Sequence, residues 1–314
     1  MKLTVATIQM ISYNNDFRGN CARAEELIDK AVQKGAQLIL LPELALAGYV
    51  YEDRIWDMAE PLKGRTYQWL RGLCARHKVY IGTCILEVNG QDFYDTFILA
   101  GPGQDELWQH RKIEPASYEA FFFKGGDKNP NVFKTPLGRI GVAICFDTSK
   151  NQGLDALKQG RPDIVLIPYS CPELPWFCLP RDRKVWVDLY MDTPKYFARR
   201  LNVPVVTSNK TGSFDSPIPW LPFLTLQSDF LACSSIVERS GKSRSKLRRG
   251  TGMLVEEIEA GPEEVPKIPL PEGRWFLPYT WTLKLMMDAS FMLGRLRYRL
   301  SPGRRQAVKR VIRR

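Results

Sequence analysis

Residues 5–10 alternate apolar and polar side chains as a strand does. Residues 20–33 then change to a helical period, with positions 22, 27, 28, 31 and 32 on one face and Gly35 as a stop. A nearly unbroken apolar run at 37–41 ends at Pro42-Glu43. The pattern continues with a helix over 66–77 and a strand over 79–86, then strands over 93–100 and 106–111 joined by a turn at Gly101-Pro102-Gly103. Strands over 132–135 and 140–145 flank Pro136-Leu137-Gly138. After them come a short helix at 154–160, a buried strand at 164–168, an amphipathic helix at 187–201, and strands at 203–208, 234–237 and 253–257. Runs such as 37–41, 140–144 and 164–168 lack alternation, as strands buried on both faces do. Residues 212–230, rich in Pro and Trp, are expected as a surface loop. A Pro-rich linker is expected from 262. The class is therefore α/β, a central sheet covered by helices.

Residues 281–300 read as one more helix. Thr282, Met286, Ala289, Leu293, Leu296 and Leu300 share a face, with Trp281, Leu285 and Met292 beside it, and Lys284, Asp288, Arg295 and Arg299 lie opposite. Pro278 precedes it and Pro302-Gly303 ends it. Two readings fit: the apolar face docks on the core or on a second subunit, or it lies in a membrane interface through residues 281–314.

Charge sharpens this division. The formal net charge of the 314 residues is +11. Residues 239–249 hold six cations and 295–314 hold nine, with no acid in either, so the rest of the chain carries −4. Polyanion or membrane contact is thus a question about two segments only. No interleaved aromatic platform or nucleic-acid motif supports a nucleic-acid partner. Seven cysteines without a CxxC pair read as reduced thiols of a cytoplasmic-type compartment, with the inner face of a membrane as the extension of that reading. MKLTVATIQM reads as a first strand rather than an export signal, and no run reaches the ~18 apolar residues of a spanning helix. Two histidines, His77 and His110, make a His-rich metal site unattractive.

Three strand ends break the apolar pattern with a reactive group: Glu43 after 37–41, Lys112 after 106–111 and Cys145 after 140–144. Ligands of α/β sheets gather outside the carboxyl ends of the strands, so the three can converge. Singly, each has an ordinary structural explanation; the set does not.

The windows together resemble the nitrilase (carbon–nitrogen hydrolase) superfamily over about residues 1–258. LPELALAGY at 41–49, His110-Arg111-Lys112 and GVAICFD at 141–147 are similar to its catalytic Glu, Lys and Cys elements in order. Glu119 with the aromatics and the Gly126-Asp127 that follow, VATIQM and Tyr94-Asp95-Thr96 also resemble the family pattern. The resemblance implies an αββα sandwich with a C-terminal basic amphipathic extension, divided into residues 1–258 and 259–314. It implies Glu43, Lys112, Cys145 and Glu119 as catalytic residues, no metal or organic cofactor, and a homodimer or larger homo-oligomer. The expected reaction is hydrolysis of a linear amide through a Cys145 thioester. Glu43 serves as base once burial raises its pKa, Lys112 stabilises developing charge, and Glu119 orients Lys112, the incoming amine or water. Phe146-Asp147 after the cysteine is similar to the amide-cleaving branches. Nitrile hydrolysis, acyl transfer to an amine and a catalytically idle scaffold stand as the alternatives. The residues after Cys145 depart from the family's substrate-carboxylate pattern. The apolar segments around Trp176, Phe177, Trp220, Leu221, Phe223 and Leu224 either pack on their own sheet or a dimer partner, or form the entrance for a hydrophobic small-molecule substrate.

Overall fold

A computed structural model describes residues 1–103, 106–126, 131–261, 269 and 271–313. In the N-terminal half, β1 (Lys2–Gln9), α1 (Phe17–Gln33), β2 (Leu38–Leu40), α2 (Arg65–His77), β3 (Tyr80–Asn89), β4 (Asp92–Ala100) and β5 (Leu107–Arg111) follow in order. The second half runs β6 (Val132–Thr135), β7 (Gly138–Val142), α3 (Asn151–Gly160), β8 (Ile164–Pro168), α4 (Pro180–Leu201), β9 (Val205–Ser208), β10 (Ser213–Ile218), β11 (Leu221–Asp229), β12 (Ser235–Val237), β13 (Ser243–Lys246) and β14 (Gly252–Glu259). Helices α5 (Trp281–Leu300) and α6 (Pro302–Ile312) close the chain.

Two six-stranded sheets result, ordered β14-β1-β2-β3-β4-β5 and β13-β12-β9-β8-β7-β6. Each has a parallel centre, β1-β2-β3 and β7-β8-β9, with antiparallel strands outside it. Along β1, Leu3 and Val5 join the core that runs between the sheets, while Ala6 and Ile8 pack under α1 and α2. Both faces of the central strands are therefore buried, as their lack of alternation predicts. The sheets are stitched together by Thr7 Oγ1, which donates to Thr207 O at 2.7 Å, and by Ser208 Oγ donating to Ile8 O.

Strand direction decides where chemistry gathers. Met10 and Lys210 pair in parallel across the two sheets, so β1 and β9 point the same way. β5, two antiparallel steps from β3, runs with β3 as well. The carboxyl ends of β2, β5 and β7 thus open on one side of the sandwich.

Several expectations change. Residues 212–230 are not a loop but the antiparallel hairpin β10–β11, whose outer face stays exposed. β13 pairs with β12 where no strand was expected. α4 begins seven residues earlier than its amphipathic pattern, with Pro180 in its first turn, where a missing N–H costs nothing. The turn at 101–103 is described up to Gly103, and most of the Pro-rich segment after 261 lies outside the described residues.

The segment beyond 258 shares the core. Trp275 bridges Lys150 in antiparallel fashion, and Asn151 Nδ2 donates to Pro271 O and Gly273 O at 2.7 Å each. Tyr298 OH accepts from Phe93 N at 2.8 Å, and α6 is tied to Asp57 by Arg310 at 2.8 Å. On α5 the inward stripe is Leu283, Met287, Ser290, Gly294 and Tyr298. A Cβ at Gly294 would lie 2.8 Å from the backbone of Ala120 and Phe121, so glycine is what lets the helix reach that turn. Docking of the expected apolar face on the core is therefore corrected. Leu293, Leu296 and Leu300 are more than half exposed, because the helix is rotated to bring its small residues inward.

Candidate active site

Three of the four expected residues sit at sharply turned chain segments. Glu43 follows β2 and precedes Leu44 at φ 47°; Cys145 follows β7 at φ 43°; Glu119 follows Ser117 at φ 45°. Left-handed conformations of non-glycine residues cost roughly 1–3 kcal/mol each and persist only where surrounding bonds over-determine them. Those bonds are present. Asp147 Oδ2 accepts from Ile144 N at 3.1 Å and its Oδ1 from Ile113 N at 2.9 Å, which ties the Cys145 turn to the residue after Lys112. Thr148 Oγ1 donates to Cys145 O at 2.7 Å. Glu43 N donates to Tyr169 O at 3.2 Å, and Ser170 Oγ donates to Glu43 O at 2.6 Å, anchoring Glu43 to the opposite sheet.

Lys112 is the hub. Its Nζ lies 2.6 Å from Glu43 Oε1, 2.9 and 2.8 Å from the two Glu119 oxygens, and 3.6 Å from Asp95 Oδ2. Glu119 also accepts from Ala116 N at 2.7 Å and from the Tyr49 hydroxyl. All four expected residues, Glu43, Lys112, Glu119 and Cys145, are buried and line one site. Asp127, the last residue of the Glu119 window, lies outside the described residues.

Electrostatics give each group a protonation state. Burial alone would push the Glu43 carboxyl up, but the Lys112 ammonium and hydrogen bonds hold it below its ordinary value. The expectation that burial raises it is therefore corrected: the adjacent cation outweighs desolvation. Burial would pull Lys112 down, and Glu119 and Glu43 hold it well above the lysine range. Burial, then the Glu43 charge, push the Cys145 thiol well up, so Cys145 rests as a neutral thiol. Glu119 is raised by burial despite Lys112.

Two residues carry more than their sequence positions suggested. Asp95, fully buried within β4 and 3.6 Å from Lys112 Nζ, is pushed well up by burial and by the Glu43 charge. Lys210, just past the end of β9, is buried, has no hydrogen-bond partner for Nζ among the described residues, and faces the Tyr49 ring at 5.4 Å. Burial pulls its pKa down to about 7, against the charges of Glu43 and Asp95. The strand-end rule that singled out Glu43, Lys112 and Cys145 applies equally to Lys210; for Asp95 the only signal is the resemblance of Tyr94-Asp95-Thr96 to the family pattern.

The sign of the Lys210 effect follows directly. The unfolded lysine, near its ordinary 10.5, holds a proton that the folded one releases above about 7, so stability rises with pH across that window. Lys210→Met removes this dependence. The variant is expected to be more stable than wild type at pH 7, with a margin that shrinks by up to about 2 kcal/mol at pH 9. Urea midpoints of both proteins at the two pH values measure it, and a constant margin would contradict a proton lost on folding.

Above Cys145 opens a cavity of about 90 Å³, walled by Tyr49, Tyr118, Trp186, Tyr190, Met286 and Met287 among others. Two larger clefts, of about 600 and 870 Å³, are both lined by Ile113 and Glu114, and Cys145 lines neither.

Two stacked sheets with helices outside, and a carboxylate–ammonium–thiol cluster at their shared carboxyl end, define the αββα thiol hydrolases as a class. The carbon-nitrogen hydrolase family model matches residues 4–261, and the chain belongs to that family. A nitrilase from Pyrococcus abyssi (strain GE5 / Orsay) is 32% identical over 182 residues, 54% of this chain and 68% of the relative. An N-carbamoylputrescine amidase from Solanum tuberosum is 27% identical over 226 residues, 67% of this chain and 71% of its own length. Plant nitrilases are matched over about half their length, 55% and 47% for two of them. Among solved structures, a carbon-nitrogen hydrolase from Helicobacter pylori G27 superposes with a TM-score of 0.73 at 16% identity, covering 95% of each chain.

Proposed function

We propose that the protein hydrolyses a linear amide with an apolar acyl group through a Cys145 thioester. The observation that carries this reading is the placement of Cys145 at an apolar pocket while Lys112 joins both glutamates beneath it. The Cys145 thiol gives its proton to the Glu43 carboxylate as sulfur attacks the carbonyl carbon; no resting thiolate is required. Lys112 offers an ammonium to the oxyanion, a contribution of ~2.7–4 kcal/mol for one such donor. The C–N bond then breaks, and the amine leaves with the proton held by Glu43. Water attacks the thioester after giving a proton to Glu43, the S–C bond breaks, and that proton returns to sulfur. Glu119, held by Tyr49 and Ala116, fixes the Lys112 ammonium; it acts by positioning. Asp147 is spent on backbone N–H groups and serves the turn rather than the substrate.

The lining is aromatic and aliphatic, which supports an apolar acyl group over a small polar one. About 90 Å³ encloses roughly three water-sized volumes of ~30 Å³. Longer chains therefore extend past Phe177 and Met286 toward the mouth. Short linear amides, from propionamide to hexanamide, are the probes. Intact-protein mass spectrometry after rapid acid quench is expected to show an acyl adduct that maps to the Cys145 peptide, with ammonia released into solution. Neither adduct nor ammonia from any member, or an adduct on another cysteine, would sink the proposal.

A further inference from the structure

The apolar arc that α5 turns away from the core needs an occupant. Trp281 is 74% exposed and Met292 72%, and Leu285, Leu293, Leu296 and Leu300 continue the arc. At 100° per residue these six cover about one third of the helix circumference, opposite the stripe that packs on the Glu119 turn. The arc does not stand alone. Thr280 and Thr282 donate to Asp182, which ties the start of α5, with Trp281, to the start of α4, where Leu179 is exposed. Tyr118 lies near enough to feel both Trp220 at the tip of the β10–β11 hairpin and Ser290 of α5. Trp176 and Phe223, each 79% exposed, and Phe177 extend the same apolar rim. Phe177, Leu226 and Met286 line the cavity above Cys145, so the rim surrounds the mouth of the pocket.

Charge identifies the occupant. On α5 the arc is edged by Lys284, Arg295 and Arg299 on one side and Arg297 on the other. Arg181 and Arg183 are exposed beside Leu179, and Arg305, Lys309 and Arg313 are exposed on α6. Asp288, the one acid of α5, is paired with Arg274 at 3.0 Å. A second copy meeting this face through a two-fold axis would set cations against cations. An apolar arc with tryptophan at its end and cations along its edges suits a bilayer surface, with the arc among acyl chains and the cations at anionic headgroups. No helix of the described residues is long and apolar enough to cross a membrane, which leaves an in-plane geometry.

We infer that this rim is a docking surface for an anionic lipid bilayer, seated so that the pocket mouth faces the membrane. Delivery of an apolar amide from the bilayer rests on the amide-hydrolase reading; the surface itself does not.

The test uses the full chain, flotation with phosphatidylcholine vesicles with and without phosphatidylglycerol, and turnover of a water-soluble short amide as a separate readout. Wild type is expected to float with the anionic vesicles, to stay behind with phosphatidylcholine alone, and to be released by salt. Replacing exposed side chains only, Leu285→Gln/Met292→Gln/Leu296→Gln and Arg295→Gln/Arg299→Gln should each lower binding about tenfold or more. Both variants should keep the soluble-amide rate of wild type, whatever that rate is, so failure of the chemistry and failure of the surface are told apart. Wild type that ignores anionic vesicles, or an apolar-face variant that binds as well as wild type, overturns the inference. So does sedimentation velocity showing a wild-type dimer that the apolar-face variant breaks, since the occupant is then a second copy.

Discussion

Cys145→Ala is expected to lower amide turnover by about 10⁴-fold or more, because every later step depends on the sulfur–carbon bond. The fold should survive the change. Alanine keeps the left-handed φ of 43° that Cys145 already adopts, and the bonds from Asp147 and Thr148 that hold the turn are made by neighbouring backbone groups. Loss of one buried sulfur costs on the order of 1 kcal/mol. The control lies in the same pocket. Cys171 and Cys178 also line it, and Cys171 is buried like Cys145. Cys171→Ala and Cys178→Ala should each retain turnover within about threefold, since Glu43 and Lys112 are the foremost charges acting on Cys145, whereas at Cys171 they come behind Cys233 and Tyr190 and at Cys178 the charges are Asp182 and Arg183. Initial rates of ammonia release on one amide measure all three variants. Turnover that survives in Cys145→Ala and disappears in Cys171→Ala would move the nucleophile to the segment just past β8.

Why the cluster could be read before the fold is a matter of contrast. Glu43, Lys112 and Cys145 each end an apolar or strand-like run, and a charged or nucleophilic group at such an end stands out from its neighbours. The parallel relation of β1 and β9 then brings the ends together, a fact of topology that no single window contains. Lys210 obeys the same rule but follows a polar Thr-Ser-Asn stretch, which hides the contrast. Asp95 sits mid-strand, and its weight appears only once Glu43 and Lys112 are placed around it. The stretch 212–230 lacked a readable period because β11 leaves most of its side chains in solvent, so no buried face imposes alternation. α5 was legible as a helix, but not the face it buries. Ser290, Gly294 and Tyr298 pack inward by size and hydroxyl bonding, whereas hydrophobicity alone selects the leucines that point out. α6 was missed for a related reason: Ala307, Val308 and Val311 are buried among cations that dominate its composition.

Lys112→Met is expected to destabilise the protein by about 3–5 kcal/mol at pH 8, more than any other substitution in the site, and to abolish turnover. The reason is the cage around its ammonium. Oxygens of Glu43, Asp95 and Glu119 lie within 4.8 Å of one another, all buried, with Lys112 the cation bonded to Glu43 and Glu119. Without it, desolvation acts on the carboxylates unopposed, and Glu43 moves from below its ordinary value to above it. The pH dependence of Glu43 then reverses. In wild type its lowered pKa contributes stability at neutral pH that is lost as pH falls through the folded value. In Lys112→Met the raised carboxyls bind more protons folded than unfolded, so stability falls as pH rises above about 4.3. The gap between the two proteins should therefore be widest at pH 8 and narrow toward pH 5, as urea midpoints across that range will measure. A gap that does not change with pH would mean that Lys112 is not what keeps Glu43 ionised. Lys112→Arg serves as the conservative comparison. It restores the charge, and with it the flat gap, but a planar guanidinium cannot take the place of a point ammonium 2.6 Å from Glu43 and 2.8 Å from Glu119, so turnover stays low.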